Sequence, residues 1–205
     1  MNDAPAEVQL QGLAPTQRLF VAATPCEAVR DALAEVQTQL RPRLPPRAVK
    51  WTPPEQIHLT LRFLGAVRND SVAELGKALA RVAAEHTAFG LSAAGLGVFP
   101  SSHRPRVIWA GLAGNVSELA ALQSSVQVAT EPWGEREDKP FHAHLTLGRV
   151  RDLPPSQLRE VSGVLACFEA GALGDWNVRE LELVRSELRP EGALHTRLRS
   201  YELRG

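Results

Sequence analysis

The 205-residue sequence contains only two cysteines, Cys26 and Cys167, and they do not form a CxxC pair. Their scarcity argues against a disulfide framework and a cysteine-based zinc site, and we expect two buried free thiols in a reducing compartment. Excess charge of one sign is also absent, because 23 basic residues balance 23 acidic residues. This balance argues against a general basic field for wrapping duplex nucleic acid, although it permits a local basic pocket.

Long apolar runs are missing as well, since no stretch approaches the 18 residues of a membrane-spanning helix. The segment Met1–Gln17 has neither a basic start nor an apolar centre, so it does not have the pattern of a signal peptide. The sequence also lacks a glycine-rich phosphate loop, because Gly95 and Gly97 have no third glycine at the required spacing. We therefore expect a cytoplasmic protein with a flexible segment 1–17 and a single domain over 18–205.

Hydrophobic periodicity predicts strands and helices that are mixed along the chain. Strands are expected at 18–23, 57–64, 89–99, 106–112, 141–150, 178–188 and 193–203, and helices at about 27–40, 69–85, 117–130 and 156–168. Thr24 and Glu27 have the spacing of a capping box before the first helix. Five prolines in the segment 41–54 predict a loop there. The order lacks a regular β-α-β-α alternation, which favours an α+β fold with largely antiparallel strands.

One four-residue segment occurs twice, as His58-Leu59-Thr60-Leu61 and as His144-Leu145-Thr146-Leu147. Composition alone gives on the order of 0.005 copies of such a segment by chance in a chain of this make-up. A single His-x-Thr on an amphipathic strand is usually an ordinary polar face. Its exact repetition at the start of two predicted strands indicates a duplicated functional element.

The paired motif has a chemical interpretation. Side chains at i and i+2 of a strand point to the same face, so each histidine projects together with its threonine. If the two strands lie side by side, two imidazoles can serve as a general acid and a general base near neutral pH. Two hydroxyls can donate hydrogen bonds to phosphoryl oxygens. The set is suited to displacement at phosphorus without a metal ion.

These residues carry a resemblance to a known family. The two motifs resemble those of the two-histidine phosphoesterase superfamily, and their flanking segments 56–65 (QIHLTLRFLG) and 140–149 (PFHAHLTLGR) resemble its RNA 2',3'-cyclic phosphodiesterases, also called 2'-5' RNA ligases. The resemblance extends from about residue 18 to residue 203. The sequence departs from the family pattern at Ala143, where proline is common, and at His195, where an aromatic residue is common.

The resemblance implies a bilobal α+β fold, with two largely antiparallel sheets related by a pseudo-twofold axis, a central cleft and helices on the outside. It implies metal-independent hydrolysis of RNA 2',3'-cyclic phosphate ends to a 2'-phosphate, with ATP-independent, reversible 2'-5' ligation as a further activity. No cofactor and no metal are implied. The partners would be RNA ends bearing a 2',3'-cyclic phosphate or a 2'-phosphate. We expect a monomer without an obligate protein partner, because one chain supplies both motifs.

The same resemblance assigns roles to individual residues. His58 would be the proton donor and His144 the proton acceptor, while Thr60 and Thr146 would bind phosphate oxygens. Three further phosphate or substrate contacts are weighed against ordinary surface positions: Arg149, Arg62 and His142. Arg149 lies five residues after His144, which puts it on the opposite strand face unless a bulge intervenes. Arg62 has the same parity as His58, so it either faces the same cleft or lies at a solvated edge.

Other candidates keep two interpretations each. The basic residues Arg41, Arg43, Arg47 and Lys50 form either an RNA-binding rim or a solvated loop. Trp51 and Trp133 either stack on a base or pack in the core, and Trp109 is expected in the core. Two alternative functions remain open, a cyclic phosphodiesterase acting on a small nucleotide such as ADP-ribose cyclic phosphate, and a non-catalytic nucleotide-binding module.

Overall fold

The computed structural model describes residues 15–134, 140–190 and 192–205. Helices and strands are mixed along this part of the chain, as predicted. The helices are α1 (Glu27–Leu40), α2 (Val72–Glu85), α3 (Val116–Ala129) and α4 (Pro155–Ala166). The strands are β1 (Thr16–Ala23), β2 (Val49–Trp51), β3 (Leu59–Arg68), β4 (Phe89–Phe99), β5 (Val107–Gly114), β6 (Leu145–Val150), β7 (Ala172–Val178), β8 (Glu180–Arg189) and β9 (Gly192–Glu202).

All strand pairings between these elements are antiparallel, and they form one sheet in the order β7-β4-β5-β6-β3-β1-β8-β9, with β2 added to β6. The α+β class with largely antiparallel strands is confirmed. The resemblance implies two sheets, whereas the structure has one sheet in which a group of four strands and a group of five are joined where Leu59 pairs with Leu145. The pseudo-twofold relation between the two groups stays a prediction.

The two faces of the sheet have different environments. Along β1, Leu19 and Val21 belong to the main core, to which all four helices contribute, whereas Phe20 and Ala22 form a small second cluster with Val184. This alternation follows from the two-residue period of a strand. We call these two surfaces the helix face and the cleft face. None of the helices within the described residues is long and apolar enough to cross a membrane.

Several local predictions are wrong. Thr24 does not cap α1, because its hydroxyl donates to Glu182 on β8 at 2.8 Å and Cys26 occupies the N-cap position. Both cysteines are free but exposed rather than buried, since Cys26 and Cys167 lie at helix ends on the surface. Strand β2 lies in the predicted loop, and β7 was not predicted. Residues 1–14 lie outside the described residues, and β1 begins at Thr16, within the segment predicted to be flexible.

Candidate active site

The two copies of the repeated motif meet at the junction of the two strand groups. Leu59 of β3 pairs with Leu145 of β6. The four motif leucines are at most 1% exposed and lie in the main core: Leu59, Leu61, Leu145 and Leu147. Because neighbouring side chains alternate between faces, the histidine and threonine of each copy project from the cleft face. The structure therefore brings His58, Thr60, His144 and Thr146 together.

Each motif histidine is held by the same hydrogen bond. The Nδ1 atom of His58 lies 2.8 Å from the carbonyl oxygen of Gln56, and that of His144 lies 2.7 Å from the carbonyl oxygen of His142. A carbonyl oxygen can only accept, so Nδ1 must carry the proton in each ring. Both neutral imidazoles therefore keep an unprotonated Nε2, which is the atom available for proton transfer.

Burial makes both rings poor bases. It is the main reason that the pKa of His58 is lowered from 6.5 to about 4, a value to which the hydrogen bond with Gln56 contributes by raising it and the neighbouring His195 and His144 by lowering it. Burial is also the main reason that the pKa of His144 is lowered; the hydrogen bond with the His142 carbonyl raises this pKa, and the charges of His142 and Arg149 lower it. Desolvation disfavours the charged imidazolium, so both histidines are neutral at pH 7 in the free protein. A bound anionic phosphate would raise both pKa values.

A β-bulge follows the threonine in each copy. In β3, Thr60 pairs with Ala22 and Arg62 pairs with Val21, which leaves Leu61 as the extra residue. In β6, Thr146 pairs with Trp109 and Gly148 pairs with Ile108, which leaves Leu147 as the extra residue. One extra residue reverses the face of the side chains that follow it, up to the next irregularity of the strand. The bulges therefore decide where the residues after each motif point.

The bulge in β6 places Arg149 on the cleft face, where it is exposed. Its charge helps to lower the pKa of both His144 and His195, which places it beside these two rings. Arg149 therefore does not lie on the helix face, where simple alternation along the strand would have placed it. A guanidinium at this place is suited to binding a phosphoryl group through two parallel hydrogen bonds.

The bulge in β3 has the opposite consequence for Arg62, and both predicted positions, on the cleft face and at a solvated edge, are wrong. The residue is only 2% exposed and its Nη1 donates to the carbonyl oxygen of Gln127 in the last turn of α3. A cation is favourable at the negative end of a helix dipole. Arg62 therefore fastens α3 to β3 on the helix face and has a structural role.

Phe63 is a cleft-face residue that the sequence reasoning missed. Its side chain is 55% exposed, and its ring centroid lies 5.8 Å from that of Phe20, with which it pairs across β1 and β3. Phe63 lies five residues after His58, the spacing that separates Arg149 from His144. This equal spacing in the two copies is the sequence signal that could have predicted Phe63 as a cleft-face residue. One copy thus presents a phenyl ring where the other presents a guanidinium.

Two further histidines lie close to the motif histidines. His195 of β9 lies 5.1 Å from His58 and 5.0 Å from Phe20 between ring centroids, and burial lowers its pKa. His142 is exposed and packs against Phe99 and Trp109 at 4.9 and 5.0 Å. It precedes β6 rather than lying on it, so its carbonyl orients His144 while its ring forms part of the rim.

The remaining candidates are distributed over both faces. Trp51 and Trp133 are partly buried against the main core, whereas Trp109, expected in the core, is half-buried and lies 6.3 Å from His144 between ring centroids. Lys50 is exposed and pairs with Arg149 on adjacent strands, which puts it on the cleft face. Arg43 stacks on the ring of Phe168 at 5.2 Å. The predicted basic rim is therefore not one continuous surface.

Comparisons with known proteins agree with this architecture. The family described as LigT like Phosphoesterase matches residues 24–109 and 112–195. Among curated proteins, an RNA 2',3'-cyclic phosphodiesterase of Archaeoglobus fulgidus is 34% identical over 185 residues, covering 90% of this chain and 99% of its own. The RNA 2',3'-cyclic phosphodiesterase of Thermus thermophilus is 37% identical over 203 residues, covering 92% of this chain and 91% of its own.

Solved structures give the same result. The crystal structure of TT0787 of Thermus thermophilus has a TM-score of 0.75 and 34% identity, and the alignment covers 92% of this chain and 98% of that one. The crystal structure of E. coli LigT complexed with 3'-AMP has a TM-score of 0.70 and 25% identity, with coverage of 92% and 98%. The chain therefore belongs to the LigT-like phosphoesterase family.

Proposed function

We propose that this protein hydrolyses the 2',3'-cyclic phosphate end of RNA to a 2'-phosphate. The observation that carries the proposal is the pair of motif histidines, each fixed through Nδ1 so that Nε2 is free on the cleft face. A binding module has no need of two groups poised for proton transfer. The names of the curated relatives, RNA 2',3'-cyclic phosphodiesterase, support the same substrate class.

The reaction would be an in-line displacement at phosphorus. His144 Nε2 takes a proton from water, and the resulting oxygen forms a bond to phosphorus. The bond from phosphorus to the 3' oxygen breaks, and His58, which takes up a proton from solvent when the anionic phosphate binds and raises its pKa, delivers that proton to the 3' oxygen. Thr60, Thr146 and Arg149 would hold the non-bridging oxygens as negative charge develops. Exchange with solvent then returns the proton from His144 and restores the one on His58.

The two sides of the cleft are unequal, which supports this assignment of acid and base. His58 packs against Phe20 at 4.8 Å between ring centroids, and the exposed ring of Phe63 lies beside them. An aromatic surface is suited to stacking a nucleobase. The departing 3' oxygen belongs to the nucleoside, so a base stacked on Phe63 would bring that oxygen to His58. Water would then approach from the side of His144 and Arg149.

Four further statements belong to the same proposal. Catalysis proceeds without a metal or other cofactor, because the two histidines supply the base and the acid. The reverse reaction, with an RNA 5'-hydroxyl in place of water, gives ATP-independent 2'-5' ligation. The protein works as a monomer, since both motifs come from one chain, and it works in the cytoplasm. A single bilobal domain over 18–205 completes the proposal.

The decisive experiment is incubation of the purified protein in EDTA with a short RNA that ends in a 2',3'-cyclic phosphate. We expect quantitative conversion to a 2'-phosphate, identified by phosphorus NMR. A 3'-phosphate would reverse the direction of attack that we propose. Absence of turnover in EDTA that metal restores would contradict metal independence. Turnover of ADP-ribose cyclic phosphate but not RNA would favour the small-nucleotide alternative, and nucleotide binding without any turnover would favour a binding module.

A further inference from the structure

A cavity lies at the end of α1, apart from the motif histidines. Its volume is about 300 Å³, and its lining combines three arginines with apolar side chains: Arg41, Arg47, Arg151, Leu44, Pro45 and Trp51. Arg41 and Leu44 follow α1, Arg47 precedes β2, and Arg151 follows β6. We call this cavity the arginine pocket.

The arginine pocket lies on the helix face. Strand β2 separates it from the catalytic groups, because Val49 and Trp51 line the pocket while Lys50 between them pairs with Arg149 on the cleft face. Helix α1 marks the same side, since Gln37 donates hydrogen bonds to the carbonyl oxygens of Thr52 and Leu147. Three consecutive residues of β2 therefore connect the two sites across the sheet.

Within the described residues, the positive charge of the arginine pocket has no acidic partner. None of its three arginines forms an ion pair with an acidic residue in the part of the chain that the structure describes. Arg41 lies over the ring of Trp51 at 5.7 Å. Three guanidinium groups around one cavity repel each other, whereas a bound phosphate would give each of them a partner.

Arg47 adds an independent observation. The backbone φ of Arg47 is +60°, in the left-handed region that favours glycine. Among the described residues other than glycine, Arg47 alone has a positive φ. It occupies the third position of the turn from Pro45 to Ala48, whose amide donates to the Pro45 carbonyl at 3.0 Å. A type II turn ordinarily has glycine there. An arginine in that place is a strained choice for a solvated loop, and such strain is concentrated at functional sites.

We propose that the arginine pocket binds phosphodiester groups of the RNA strand upstream of the reacting end. The inference rests on the proposed function. A strand leaving the cleft over β2 would pass Lys50 and Arg149 before it reached Arg47 and Arg41. The pocket would thus favour an oligonucleotide over a mononucleotide, which the catalytic groups alone do not do.

The test uses a variant in which the pocket loses its charge. Arg47→Gly leaves a residue that adopts the left-handed conformation freely, so it relieves strain while removing the guanidinium. Combined with glutamine at the other two positions, it gives R41Q/R47G/R151Q. A control with the same change in net charge replaces three exposed arginines outside the pocket that have no ion pair in the described ranges: R81Q/R159Q/R204Q.

Binding is measured first, by fluorescence anisotropy with a 12-nucleotide RNA that ends in a 2'-phosphate, over a range of salt concentrations. Three lost phosphate contacts should reduce the slope of log K against log salt by about 2 in the pocket variant. We expect the control to keep the wild-type slope. Equal slopes in all three proteins, or equal losses in both variants, would overturn the proposal.

Turnover is measured second, with a cyclic mononucleotide and with the 12-nucleotide cyclic-phosphate RNA. We expect the pocket variant to keep the rate on the mononucleotide and to lose at least tenfold in kcat/KM on the longer RNA. If the pocket variant kept the wild-type preference for the longer RNA over the mononucleotide, the proposal would be overturned. If the wild type turned over neither substrate while the salt slopes still differed, the proposed function would fail and the binding site would stand.

Discussion

Protonation of His58 should make the protein less stable in acid. In the unfolded chain its pKa is near 6.5, whereas burial lowers the pKa to about 4 in the folded protein. Above pH 6.5 the residue is neutral in both states and contributes nothing to the pH dependence. As the pH falls from 6.5 to 4, the unfolded chain binds the proton first, so the folded state loses stability progressively.

The magnitude follows from the two pKa values. Their difference of about 2.5 corresponds to about 3 kcal/mol, at about 1.36 kcal/mol for each pKa unit. His144 and His195 contribute in the same direction, because their pKa values are also lowered. The contribution of His58 is therefore isolated by comparing the wild type with His58→Gln, in which the titrating group is absent.

The measurement is urea unfolding followed by circular dichroism at intervals between pH 4 and pH 7.5. The wild type should lose up to about 3 kcal/mol more than His58→Gln as the pH falls. The control is His103→Gln, since His103 is exposed and its loss leaves the buried histidine in place. If His58→Gln and the wild type lost stability in parallel, His58 would not be held neutral by burial and the argument would be refuted.

Three further predictions concern the two motif strands. His58→Ala and His144→Ala should each lower kcat by about 10² to 10⁴ with an unchanged circular dichroism spectrum; a variant of normal rate would exclude proton transfer by that residue. Phe63→Ala should raise KM by about tenfold for a base-bearing cyclic phosphate and not for an abasic one, whereas equal effects on both substrates would contradict base stacking. Arg62→Met should lower the free energy of unfolding by about 2 kcal/mol and leave KM unchanged. Arg149→Gln should raise KM and leave the free energy of unfolding unchanged. A raised KM in Arg62→Met together with a loss of stability in Arg149→Gln would contradict the assignment of the two residues to the two faces.

The sequence was most informative where function depends on a local pattern. The repeated His-x-Thr motif is visible without any structure, because its four polar side chains occupy fixed positions on two short strands. The apolar periodicity likewise predicts α1, α2, α3 and α4 to within a few residues of their observed ends. Strand β7 escaped prediction, because its glycine, aspartate and asparagine have low strand propensity and its pairing with β4 stabilises it.

The positions beyond each motif required the tertiary structure. Simple alternation places Arg62 on the cleft face and Arg149 on the helix face, and both assignments reverse because Leu61 and Leu147 are bulged. A bulge depends on the register of a neighbouring strand that is distant in the chain, so a local pattern does not reveal it. His195 reaches His58 for the same reason, through the pairing of β9 with β8 and of β8 with β1.

The four polar side chains of the repeated motif and the α+β class can thus be predicted from the amino-acid sequence, because residue identity and short-range periodicity suffice for both. The tertiary structure alone decided which neighbours share the cleft with those side chains, how burial lowers the pKa values of the two histidines, and where Arg41, Arg47 and Arg151 converge. These properties arise from strand register and packing between segments far apart in the chain, which no short window of sequence contains.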